Sequence, residues 1–430
     1  MKKLFFICSL TLGFSVFSQD FHRCYTHEAM EHQETITPGY INQVNEVFNR
    51  AKEIGTQARS DVYTIPVVVH IVYNTPEENL PDSVIFNQIA SLNADFRRLN
   101  EDAVNVRDTF NTIVGDTFIE FELAAVDPDG NPTNGITRTS TAVESFLADF
   151  ETLADGVKYT SEGGIDPWDQ SRYMNIWVCD MSFFGEVFLL GYATPPDGLE
   201  HWPEGAIDGL VDGVVMQYQA FGSNNPNPLI AGGSPIEVLG RTTTHEVGHY
   251  LGLRHIWGDG DCSEQDGIDD TPNMVTQSSQ DCDIVKNTCV DDIADLGDLP
   301  DMVENYMDYS AESCQNSFTL GQANMMRAII ENERIDLVED NPVLGIRNES
   351  QEAFELSLYP NPTSGIVTVS FQGMDSGTDV IVLSETGQIV QAHNLKGQLS
   401  TITLENLVSG LYFIQVQNEL GLRVEKLVVY

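Results

Sequence analysis

The chain has 430 residues, with 65 Asp and Glu against 21 Lys and Arg, so its formal charge is −44. That charge excludes nucleic acid as the partner, because a phosphate backbone needs a cationic surface, and it excludes a polybasic grip on anionic lipid. Hydrophobic residues make up 41% of the chain, too many for a disordered protein, and beyond residue 20 no apolar run is long enough to cross a bilayer. At about 100–200 residues per domain, the length predicts two or three domains.

Residues 1–18 place Lys2 and Lys3 before an apolar run from Leu4 to Phe17, with Val16 and Ser18 small enough to precede a cut. This pattern predicts a secretory signal peptide, cleaved next to Ser18 or Gln19. The run is too short for an anchor, so no transmembrane segment is expected in the mature chain. Losing Cys8 leaves Cys24, Cys179, Cys262, Cys282, Cys289 and Cys314, in a compartment where disulfides persist. Spacing alone cannot choose among their pairings.

Residues 19–60 read as a polar leader, short-helical or loosely ordered. The compact domain is expected from residue 61 to residue 340. Its opening strand, near Tyr63, is β-branched, and a helix follows with Ile85, Ile89, Leu92 and Phe96 on one face. Residues 118–126 and 173–181 read as further strands, and Cys179, in the second of these, reads as a buried free thiol. A helix is predicted up to Gly252. An irregular stretch from about 256 to 317 follows, in which residues 256–312 hold 16 Asp and Glu and one Lys. A helix resumes over 317–332, residues 341–354 read as a linker, and residues 355–430 alternate short strands with turns, as in a small β-sandwich. The fold class is therefore α+β followed by an all-β module.

The chemistry concentrates in His245-Glu246-Val247-Gly248-His249. Residues four apart share one helix face, so two imidazoles can close on one cation. Gly252 tolerates the positive φ of a chain reversal, which brings His255 to the same ion. Three His ligands leave a fourth position for water, as catalytic zinc requires, and Glu246 stands beside the metal as a base. Downstream, Met307 in Asn305-Tyr306-Met307-Asp308-Tyr309 fits an apolar turn beneath the imidazoles. The Tyr309 phenol is placed to donate to the oxyanion of a tetrahedral intermediate. Met302, Met325 and Met326 read as packing.

The sequence 245–255, with 305–310, resembles the metzincin metallopeptidases and, within them, the pappalysin-like (ulilysin-type) branch; weaker support comes from 127–139 and 189–198. The likeness runs from about Ile65 to Asn332. It implies an upper subdomain with a twisted mixed sheet and active-site helix, an irregular lower subdomain, and a cleft between them that holds an extended peptide. It implies His245, His249 and His255 as zinc ligands, Glu246 as general base, Met307 as the Met-turn residue and Tyr309 as stabiliser. The branch also implies calcium in the loop 266–272, with Asp266 and Thr271 as ligands, and the disulfides Cys262–Cys289 and Cys282–Cys314. Branch members often prefer a basic residue after the cut, and Glu312 is a candidate to pair with it. Cys24 resembles the cysteine switch of metzincin pro-segments, although Tyr25 stands where a Gly often follows. An unpaired leader thiol or a bond to Cys179 are the other readings of Cys24. Residues 356–430, with their Pro360-Asn361-Pro362-Thr363-Ser364-Gly365 turn and a closing Glu425–Tyr430 strand, resemble the C-terminal sorting domain of the type IX secretion system. The expectation is a secreted or cell-surface zinc metalloendopeptidase, made as a zymogen and exported across the inner and outer membranes. Its partners would be protein or peptide substrates and the secretion machinery. The alternative is a catalytically silent secreted binding or adhesion protein with a structural metal site.

Overall fold

The computed structural model describes residues 21–54, 61–147, 154–196, 211–294, 296–339, 342–344, 356–371, 378–384, 389–395, 399–404, 407–418 and 421–430. The signal-peptide reading of residues 1–18, the end of the leader and most of the 341–354 linker lie outside the described residues. The chain divides into two compact units, 1–345 and 346–430. No helix among the described residues is long and apolar enough to cross a membrane.

In the first unit the leader forms two helices, α1 (Thr26–Ile36) and α2 (Tyr40–Ile54). Then come β1 (Tyr63–Tyr73), α3 (Asp82–Phe96), β2 (Ile119–Leu123), β3 (Ile136–Ser140) and β4 (Met174–Cys179). The short strands β5 (Ser182–Phe183), β6 (Glu186–Val187), β7 (Gly191–Ala193), β8 (Val214–Gln217), β9 (Leu229–Ala231) and β10 (Ser234–Ile236) follow. The unit closes with α4 (Arg241–Tyr250) and α5 (Leu320–Glu333).

The main sheet runs β2-β1-β4-β8-β7, with β3 also on β1. All its pairings are parallel except β7 with β8. A parallel sheet is covered on both faces, which is why β1 is largely apolar, with His70 its buried polar exception; Ile65, Val67, Val69 and Ile71 are fully buried in it. The helix face read from the sequence packs against this sheet through Ile85, Leu92 and Phe96. β7 is the sheet's edge strand, and a second sheet, β10-β9-β6-β5, takes its strands from both sides of β7 in the chain.

α5 starts where Thr319 and Gln322 cap each other reciprocally. Among the described residues, the stretch between α4 and α5 has no helix or strand, only isolated bridges. Cys262–Cys289 and Cys282–Cys314 are bonded there, with Cα atoms 5.5 and 6.0 Å apart, while Cys24 and Cys179 are free and buried. Met302, Met325 and Met326 belong to the main core.

The second unit has sheets of three and four strands: β11 (Leu356–Tyr359), β12 (Ile366–Phe371) and β15 (Leu399–Thr403), and β13 (Thr378–Ser384), β14 (Ile389–Leu395), β16 (Gly410–Asn418) and β17 (Gly421–Val429). Alternate residues such as Val367 and Val369, Val380 and Val382, and Ile414 and Val416 form its core, the period-two pattern of strands buried on one face.

Candidate metal centre

Helix α4 is buried along its whole length. The Glu312 carboxylate crosses its N-terminus and accepts from the amides of Leu239, Arg241 and Thr242 and from the Thr242 hydroxyl. These amides have no partner inside the helix, and the positive end of the helix dipole favours an anion there. The helix ends two residues earlier than its sequence pattern suggests, at Tyr250. There Gly252 N–H donates to His249 O and Leu253 N–H to Gly248 O, a Schellman closure. Gly252 takes the φ of +88° that the reversal demands.

This turn returns His255 to the helix. His249 Nε2 lies 3.1 Å from both His245 Nε2 and His255 Nε2. Each ring's other nitrogen faces an oxygen that can only accept: His245 Nδ1 faces Tyr306 O at 2.7 Å, His249 Nδ1 faces Leu253 O at 2.8 Å, and His255 Nδ1 faces the Asp259 carboxylate at 2.5 Å. The protons therefore sit on Nδ1, and three Nε2 lone pairs converge. Such lone pairs cannot hydrogen-bond to one another, so the arrangement fits a shared cation. Burial, followed by the neighbouring imidazoles, holds His245 well below the usual histidine range. Burial, then His255, pushes His249 down to about 3. Both rings stay neutral, as metal ligands must.

Cys24 brings Sγ into the same cluster, and the four ligand atoms lie within 4.8 Å of one another. Its thiol donates to Glu246 Oε2 at 3.3 Å, and the Thr26 hydroxyl donates to the same oxygen at 3.2 Å. Glu246 Oε1 has no hydrogen-bond partner. Burial raises the Glu246 carboxyl to about 8, and burial, then the Glu246 charge, pushes the Cys24 thiol up. The Tyr309 hydroxyl lies 3.2 Å from His255 Nε2 and donates to Cys24 O at 3.2 Å. Met307 is fully buried beneath the helix, and a Cβ at Gly248 would stand 2.5 Å from its Sδ.

The leader reaches the centre by bonding backbone to backbone with the segment 188–191 that leads into the edge strand β7. His22 N–H donates to Phe188 O, Leu190 N–H to His22 O, and Tyr25 N–H to Gly191 O. The buried Arg23 guanidinium reaches Ser310 O and, at 2.8 Å, Gln315 Oε1; its distance to Glu312 Oε1 is 3.8 Å. Glu312 is thus chiefly a helix cap, with a guanidinium beside it.

Asp266 and Thr271 also meet. The Thr271 hydroxyl donates to the Asp266 carboxylate at 2.8 Å, as does Ile268 N–H. Both side chains are buried, and burial raises Asp266 to about 7. They stand apart from the histidine cluster. Three contributors escaped the sequence reading. Asp259, four residues after His255, offered a spacing signal. Thr26 and Arg23 offered none, because their partners lie far along the chain.

Comparison with known proteins matches residues 225–331 to the family described as pregnancy-associated plasma protein-A, and residues 357–430 to the secretion system C-terminal sorting domain. A promirolysin mutant of Tannerella forsythia is 38% identical, with a TM-score of 0.60, over 73% of this chain and 96% of that one. The same organism's mature mirolysin in complex with a cleaved peptide is 40% identical, with a TM-score of 0.55, over 65% and 97%. An extracellular metalloprotease of Arthroderma gypseum is 26% identical over 67% of this chain and 80% of that protein.

Proposed function

The chain belongs to the pregnancy-associated plasma protein-A family of metalloproteases, and from that premise we propose how its residues work. It is an extracellular metalloendopeptidase with a C-terminal sorting domain. His245, His249 and His255 are the zinc ligands of this reading, supported above all by three Nε2 lone pairs converging within 4.8 Å. Neutral imidazoles suit zinc. A zinc ion held there would supply Lewis acidity and acidify a water to near neutral.

Glu246 is the proton carrier. Its carboxylate, with Oε1 unpartnered, takes a proton and returns it to the leaving amine. The Tyr309 O–H, which donates to Cys24 O in the precursor, donates to the substrate's oxyanion once the leader has gone. Met307 is the floor beneath the helix. The alternative of a silent binding protein gains no support, since Glu246 stands beside the cluster with one oxygen free.

Latency follows from the leader. Residues 1–18 are the signal peptide of this reading, 19–60 the pro-segment, 61–340 the catalytic domain, 341–354 the linker and 355–430 the domain that engages the secretion machinery. Cys24 Sγ completes a four-donor set with the histidines, and Cys24 and Thr26 together occupy Glu246 Oε2. The neighbouring Arg23 occupies a pocket of the same kind a substrate's basic residue would need. The substrate is an extended peptide, in line with the peptide held by mirolysin. Asp266 and Thr271 are the calcium candidates, and the buried acid of Asp266 supports that choice: it would gain by ionising against a cation.

A casein zymogram with and without chelator tests the reading. Clearing lost with chelator and restored by zinc is expected; equal clearing in both lanes rejects it.

A further inference from the structure

Cys24, Thr26 and Arg23 account for the leader's grip on the centre, but the leader's first described residue adds a contact that latency at the metal does not require. Phe21 packs into an apolar cradle made by Val187, Leu190, Leu229 and Ala231, with Ile236 at its border. The Phe21 ring edge lies 3.6 Å from where a Cβ on Gly232 would stand, so the β9–β10 turn closes over it. The cradle is built mostly from the small sheet β10-β9-β6-β5, and its four named aliphatic walls are all buried. Next to it, His22 is held by backbone bonds to Phe188 and Leu190 and lies with its ring 4.9 Å from Phe188. Phe21 and Arg23 flank the bridge that His22 makes with Leu189. One enters an apolar pocket, the other a pocket of oxygen acceptors.

We propose that the Phe21 cradle is a specificity pocket of the mature enzyme, which reads a large apolar or aromatic substrate side chain two residues beyond the one in the Arg23 pocket, away from the histidines. The inference rests on the proposed peptidase activity. With the substrate running opposite to the leader, whose chain passes the cradle before it reaches the histidines, the Arg23 pocket takes the first residue after the cut and the cradle takes the third. The main-chain groups that hold the leader, Phe188 O, Leu190 N–H and Gly191 O, belong to the segment 188–191 that leads into the sheet edge and become available to a substrate when the leader leaves. A substrate strand on that edge would present alternate side chains to the same two pockets. The leader is then an occupant of substrate subsites as well as a metal ligand.

The test uses zinc-loaded enzyme from which the leader has been processed. Quenched peptides with Arg first after the cut and Phe, Leu, Ser, Asp or Lys third are compared by kcat/KM. Phe and Leu are expected to exceed Ser by about ten-fold or more, the ratio that burying such a side chain gives, with Asp and Lys lowest. Rates equal within two-fold across the series would overturn the proposal. Binding supplies a readout independent of cleavage: a synthetic peptide spanning residues 20–27, in which Ser replaces Cys24, is titrated against the same enzyme. Replacing Phe21 with Ala in that peptide is expected to weaken binding about ten-fold, and an unchanged Kd would overturn the proposal. If no peptide is cleaved yet the Phe21 peptide still binds about ten-fold tighter, the peptidase reading fails while the pocket stands.

Discussion

Glu246 presents two oxygens in different states: Oε2 is occupied by the leader's Cys24 and Thr26, and Oε1 has no partner. Replacing it by Gln keeps the shape and removes the proposed base. Glu246→Gln enzyme is expected to lose on the order of 10²–10⁴-fold in kcat/KM while binding zinc normally; a variant that cleaves at the wild-type rate would remove Glu246 from the mechanism. Gly248 is a second single-residue case. Its missing Cβ leaves room for Met307 Sδ, so Gly248→Ala should lower stability by about 1–3 kcal/mol through overpacking, measured by denaturant unfolding. His245 and His249 were legible because residues four apart share a helix face, and His255 because Gly252 allows the chain to turn back; Glu246 follows from its place one step after His245. The need for Gly at 248 was not, since it depends on a residue that only the tertiary fold brings beneath the helix.

Helix α4 and the histidine cluster depend on side chains from other parts of the chain. Asp259 fixes the ring of His255, and partners of this kind typically contribute ten- to hundred-fold to metal affinity. Asp259→Asn is therefore expected to weaken zinc binding by roughly that factor, read by competition with a chelating dye; unaltered affinity would count against Asp259 as an orienting partner. Glu312 shows what element-scale reading leaves out: the carboxylate that stands 3.8 Å from the Arg23 guanidinium also accepts from three amides at the start of α4. Nothing in the local sequence signals this, because the cap comes from a loop downstream of the helix. The β1 strand and the α3 face were legible from apolar periodicity. The leader's helices were harder to read because much of what they pack against lies in the body: α2 lays Phe48 under the Arg254 guanidinium, at 3.9 Å, and ties Lys52 to Gly267 O and Asp269.

Across the molecule, the acidic irregular region is ordered by two disulfides and by carboxylates that accept from nearby backbone. Composition predicted its irregularity, while its order depends on cross-links that spacing could not assign. Asp266 links this region to pH. Its folded value, about 7, lies above the ordinary 3.8, so the folded protein holds a proton that the unfolded chain has released. Its contribution to stability is full below about 3.8 and is lost as pH rises to about 7. Denaturant unfolding without calcium should show this fall, and Asp266→Asn should flatten it; identical slopes would exclude Asp266 as its source. Added calcium should reverse the slope if the proposed site binds, because the ion favours the carboxylate. The most direct measurement of the whole account is zinc titration of metal-stripped, leader-free enzyme against a quenched peptide. Activity should be absent at the start, rise linearly and level off at one zinc per chain; full activity in the stripped protein would contradict the three-histidine centre as the seat of hydrolysis.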